Sequence, residues 1–243
     1  MFKILIASLC FITVNTFDIK KLNVKKINVK SMNFNLNKDS LWISFPINNN
    51  YHSKINELIP NTHTLVKCKI FEEDWLEYRL FFNIFEVDTP FFKGDRLEVV
   101  TLAQEKTTED ISFVVIDCFT NAMHWDPING IQQSNCKFDK LINNNKYNIK
   151  INNNENKPIF DLQSDKGKIR KSVLKSFSIY PNYKCFFKNF TTGYTLTFNE
   201  KQIDKKVLLI NNYNLEHNIY KDYIKELEHI FIYTNRMNFK VYL

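Results

Sequence analysis

The side chains best suited to chemistry are gathered in one peptide, Asp117-Cys118-Phe119-Thr120-Asn121-Ala122-Met123-His124-Trp125-Asp126-Pro127-Ile128-Asn129-Gly130. An imidazole, an indole and a carboxylate stand in a row directly after an apolar stretch. A loop at the mouth of a barrel presents binding groups in this way. Asp126-Pro127 and Asn129-Gly130 are turn chemistry, so the same polar groups can also serve their own backbone. His124, Trp125 and Asp126 are taken as candidate ligand-binding residues, together with Phe82, Phe113 and Tyr194 from neighbouring apolar runs.

Other catalytic arrangements lack an anchor. A Cys-His hydrolase would need Cys118, Cys136 or Cys185 beside His124, His217 or His229, and Cys118 lies in the most apolar stretch of the chain, where burial disfavours a thiolate. No Gly-x-Ser-x-Gly is present for a serine nucleophile, and Glu72-Glu73-Asp74 reads as a solvated turn. Glu86, Asp88 and Asp95 have no recognisable metal-ligand spacing, and no Cys-x-x-Cys suggests zinc. No catalytic residue, metal or cofactor is assigned. The four glycines leave no material for a phosphate-cradling loop, which excludes dinucleotide and P-loop chemistry.

Charge is unevenly placed. Residues 71–117 carry twelve acidic and four basic side chains, and residues 137–206 carry fifteen basic and six acidic ones. The densest basic run is Lys166, Lys168, Arg170, Lys171 and Lys175, a candidate anion-binding patch for an anionic lipid surface or glycan. Nucleic acid is not expected, because no stacking motif accompanies the run.

The elements that must position these groups are mostly strands. Residues 65–71, 97–104, 194–198 and 237–243 alternate apolar with polar, and 111–119 is apolar on both faces, as a fully buried strand is. Aromatic and β-branched residues make 78–87 a strand as well. Ile219, Tyr223, Leu227 and Ile230 recur at helical spacing and predict a late amphipathic helix. The asparagine runs at 48–50, 143–145 and 152–154 predict turns, and 143–157 reads as one polar insertion loop. The expected fold is mainly β, an antiparallel barrel or sandwich with one C-terminal helix.

Met1-Phe2-Lys3 followed by the uncharged stretch Ile4 to Val14 has the build of a secretory signal peptide, about residues 1–16, leaving a single β-rich domain over 17–243. The expected location is secreted or lumenal, with no membrane span in the mature chain. Cys68, Cys118, Cys136 and Cys185 are then an even set available for disulfides, and Asn189-Phe190-Thr191 is a glycosylation sequon.

The composition, rich in Asn, Lys, Ile and Phe behind a leader, resembles secreted proteins of apicomplexan parasites. The order of a leader, aromatic-rich strands, a late helix and a last strand resembles lipocalin-type barrels. It also resembles acetoacetate-decarboxylase-like barrels, which implies an activated lysine that the sequence leaves unassigned. The leading expectation is a non-enzymatic binding protein for an apolar small molecule or lipid, or for a protein or anionic surface. The alternatives are a hydrolase or decarboxylase-like enzyme using the His124 turn, and a surface adhesion protein using the basic half.

Overall fold

The computed structural model describes residues 31–35, 40–68, 76–88, 93–121, 134–170, 182–187, 194–197, 206–228, 230–235 and 238–242. The leader at 1–16, the His124 peptide from Ala122 onward, Lys171, Lys175 and Asn189 lie outside them.

Four antiparallel strands form the middle of a curled sheet: β2 (Ser40–Pro46), β4 (Arg79–Asp88), β5 (Lys93–Glu105) and β6 (Ile111–Thr120). Beyond β2 follow β15 (Ile230–Asn235), β13 (Lys206–Ile210) and β10 (Lys168–Arg170). Beyond β6 follow β7 (Ser134–Asn143), β8 (Lys146–Asn153), β9 (Pro158–Ser164) and β14 (Tyr213–Asn218). The outer edge of β6 is shared, since β11 (Asn182–Phe187) pairs parallel along its first half and β7 pairs parallel at its end. β12 (Tyr194–Thr197) pairs with β11, and β3 (His63–Leu65) with β5. β1 (Ser31–Asn35) and β16 (Asn238–Tyr242) make a separate antiparallel ribbon.

The sheet is therefore mixed, which corrects the purely antiparallel expectation, and it curls into a half-barrel. A bent ribbon ties its two ends. Ser164 pairs with Tyr213 and Lys168 with Leu209, one unbroken register, so β9–β10 and β13–β14 act as two bent strands paired antiparallel along their length. Gly167 sits at the bend of the first, with its N–H donating to Asn145 O at 2.8 Å. A Cβ there would meet Ile210 Cδ1 at 2.5 Å and Leu208 Cβ at 3.1 Å. The close crossing is what requires glycine.

Two further expectations are corrected. Residues 143–157 form no insertion loop: they are β8 and its two turns, with Tyr147, Ile149 and Ile151 buried on alternate positions. The asparagines serve the turns, Asn144 and Asn145 at φ 48° and 64°, and Asn153 Oδ1 accepting from the N–H groups of Glu155 and Lys157. The helical period at 219–230 yields one 3-10 turn, Lys221–Tyr223, followed by extended chain and then β15. Tertiary pairing wins there because Ile230 and Ile232 fill the core as strand residues. The one described α-helix, α1 (His52–Glu57), follows the first asparagine run, with Asn48 Oδ1 capping Asn50 N–H and Ile55 buried.

The inner side of the curl is filled. Leu41, Ile43, Phe45, Phe82, Ile84, Val99, Ile149, Phe160, Leu208 and Ile232 are buried in one cluster, and the Phe82 ring meets those of Phe45, Phe160 and Tyr220. Tyr220 donates to Asp117 Oδ2 at 2.9 Å, linking the 3-10 turn to β6. Burial, and then Asp117, push the Tyr220 phenol upward.

Candidate functional site

Successive residues of a strand face opposite ways, so the middle strands present a second face as well. On it Trp42 aligns with Asn83, Asn83 with Glu98, and Glu98 with Cys118, a row across β2, β4, β5 and β6. This face is buried too. Asn83 is 1% exposed, Glu98 5% and Cys118 0%.

Apolar packing prepares the floor of the row. Trp42, Phe81 and Phe113 form an aromatic triad with centroids 5.4 to 6.4 Å apart, and Trp42 Nε1 donates to Ser40 Oγ at 3.1 Å. Beside this floor the polar groups stand out. Arg96 Nε lies 2.8 Å from Glu98 Oε1, and both side chains are largely shielded from water. Such a pair survives burial only because each charge offsets the desolvation of the other. Asn83 Oδ1, next to Glu98 in register, is buried without a hydrogen-bond partner. An unsatisfied buried amide costs roughly 1–3 kcal/mol and is characteristic of sites kept for something other than stability.

The row leads to the root of the His124 peptide. Arg96 is opposite Thr120, whose hydroxyl donates to Asp95 O at 2.7 Å. Asn121 closes a reciprocal pair with Asp95, its N–H donating to Asp95 O at 3.1 Å and its Oδ1 accepting from Asp95 N–H at 2.6 Å. Lys140 pairs with the Asp95 carboxylate. β7 re-enters parallel to β6 beside Phe119 and Thr120, so the connection is a crossover held at its first residue and not a hairpin turn.

The other sequence candidates fall elsewhere. Phe82 lies in the filled core and Phe113 in the aromatic triad on the opposite face, so the two share no lining. β12 begins at Tyr194, and the side chains of Tyr194, Cys185 and Arg170 are outside the described set. Lys166 and Lys168 are exposed. Cys68, Cys118 and Cys136 are thiols, which corrects the disulfide expectation for these three. Cys118 and Cys136 are buried, whereas His217 is about half exposed beside Glu216, so His217 is not placed as a base for either. Burial pushes the Cys136 thiol up to about 11, away from nucleophilic use. Among the described residues, no three His, Cys, Asp or Glu side chains gather to hold a metal, and no helix is long and apolar enough to cross a membrane.

Sequence reasoning passed over Asn83, Arg96 and Glu98. Glu98 reads as an outward residue of an alternating strand, and it is buried because β5 is covered on both faces. The available signal was a polar residue interrupting the run Leu80-Phe81-Phe82-Asn83-Ile84-Phe85.

No family model matches the chain, and no curated protein matches it. Solved structures do. The fold is acetoacetate-decarboxylase-like. Acetoacetate decarboxylase from Legionella pneumophila superposes with a TM-score of 0.55 at 11% identity, covering 95% of this chain and 98% of that one. The enduracididine biosynthesis enzyme MppR, with HEPES bound, gives 0.53 at 4% identity over 87% and 85%. An acetoacetate decarboxylase-like enzyme from Sphingomonas wittichii gives 0.52 at 6% identity over 88% and 92%. These likenesses carry the fold, and they bear out the decarboxylase-like resemblance over the lipocalin one. They also correct the expectation of a non-enzymatic carrier, since these neighbours are enzymes.

Proposed function

We propose that the chain is a decarboxylase-like enzyme acting on a small oxo acid, with its chemistry on the Asn83–Glu98 face. The observation that carries the reading is the buried Glu98 carboxylate, paired with a largely shielded Arg96, beside the unpartnered Asn83 oxygen. Loss of carbon dioxide from a 3-oxo acid leaves the C–C electron pair as an enolate, whose carbon must take up a proton, and enolisation of a 2-oxo acid such as pyruvate exchanges a proton at the same kind of carbon. Glu98 is the carboxylate placed to exchange that proton, and a shielded carboxylate does so without competition from bulk water. Arg96 positions Glu98 and supplies positive charge for an anionic substrate. Asn83 Oδ1 offers an acceptor to a substrate hydroxyl or enol.

Lysine chemistry has less support in this row. The least exposed lysine whose side chain is described in an ion pair, Lys140, is tied to Asp95. Asp95 and Arg96 are consecutive and face opposite ways, which puts Lys140 across the sheet from Glu98.

The test uses acetoacetate and, separately, pyruvate in deuterated buffer, with proton NMR following acetone formation and deuterium entry beside the carbonyl. Turnover or exchange above buffer is expected with at least one of them. Glu98→Gln should lower it by roughly 100-fold or more with the melting temperature retained. Absence of both reactions with both compounds, or full activity in Glu98→Gln, would overturn the proposal.

A further inference from the structure

We infer that the end of the β7–β8 hairpin, with the neighbouring edge strand β10, docks on an anionic lipid bilayer. Two consecutive apolar residues, Leu141 and Ile142, are 64% and 48% exposed just before the Asn144–Asn145 turn. Consecutive strand residues face opposite ways, so both sides of the hairpin end are apolar. That suits insertion end-on and not docking of one flat face. The bond from Gly167 N–H to Asn145 O brings β10 against this turn, adding Ile169, which is 63% exposed.

Around these three side chains the exposed charges are mostly positive. Lys146 follows the turn, and Lys166 and Lys168 flank Gly167. Asp165 is the nearest acidic residue in the chain, and its carboxylate accepts from Asn212 Nδ2 at 3.0 Å. Asp139 lies lower on β7, opposite Lys150. Apolar side chains in a lysine collar match the two layers of a bilayer surface, acyl chains below and anionic headgroups above. A soluble polyanion would use the lysines and have no use for Leu141, Ile142 and Ile169, and among the described residues no exposed aromatic ring accompanies them to stack a base. This surface is separate from the Glu98 face and does not depend on the function proposed for it.

The experiment is co-sedimentation of the full chain with phosphatidylcholine vesicles, with and without phosphatidylserine, over a range of salt. Binding is expected only when phosphatidylserine is present, weakening as salt rises. Leu141→Ser with Ile142→Ser should reduce binding roughly tenfold or more. Lys166→Ser with Lys168→Ser should reduce it roughly fivefold per lysine and flatten the salt dependence. All these positions are on the surface, so melting temperatures should match the parent. Equal binding to both vesicle types, or undiminished binding by the Leu141/Ile142 variant, would overturn the inference. So would salt-independent self-association that the same variant abolishes, because the patch would then cover a second copy of this chain.

Discussion

Replacing Asn83 by leucine separates a residue retained for chemistry from one retained for stability. Asn83 Oδ1 is buried with no partner, and its neighbours in register are Trp42 and Glu98. An unpaired buried acceptor costs roughly 1–3 kcal/mol, and Asn83→Leu removes that cost while adding apolar surface against the aromatic floor. Part of the gain is lost again to the larger side chain, since overpacking can cost about 1 kcal/mol or more. The expected balance is a stabilisation of about 1 kcal/mol, or roughly 2–4 °C in melting temperature for a domain of this size. Urea denaturation followed by tryptophan fluorescence reads it, with an unchanged slope as the check that the folded state is otherwise the same. Oxo-acid turnover should fall in the same variant. A loss of 1 kcal/mol or more would refute the reasoning, because the amide would then be holding the structure together.

Gly167→Ala should destabilise the chain by about 1–3 kcal/mol, since its Cβ would fall 2.5 Å from Ile210 Cδ1 and 3.1 Å from Leu208 Cβ, two fully buried side chains; a neutral result in thermal denaturation would show that the ribbon crossing is loose. Cys136 sets a pH dependence. Its folded thiol stays protonated up to about 11 against an ordinary value of 9.0, so the unfolded chain gives up the proton first, and the stability this thiol contributes is complete below 9 and declines as pH rises toward 11. Cys136→Ala should flatten that part of the stability curve, and an unchanged curve would remove Cys136 as its cause.

The strands were legible wherever local pattern and tertiary demand agree. Ile111 to Phe119 is apolar at nearly every position and is β6, buried on both faces. The aromatic run at 78–87 is β4, despite a helical spacing running through it. The asparagine turns were legible because the side chain that favours a turn acts on its own backbone, at Asn144, Asn145 and Asn153. The late helix was misread because Ile219, Tyr223, Leu227 and Ile230 satisfy a helical period locally, while the core takes Ile230 and Ile232 as alternate residues of β15.

Composition, local turns and the existence of β4, β5 and β6 were determined by the sequence alone, because they depend on neighbours along the chain. Tertiary structure decided the mixed sheet, the ribbon that ties its ends, and the site. Asn83, Glu98 and Cys118 become neighbours only through the pairing of β4, β5 and β6, and Arg96 is shielded only once β5 is covered on both faces. A polar residue at a strand position reads as solvated until the sheet is wrapped. Burial is a property of the whole fold, and burial is what turns an ordinary Glu98 and Asn83 into groups that need a partner.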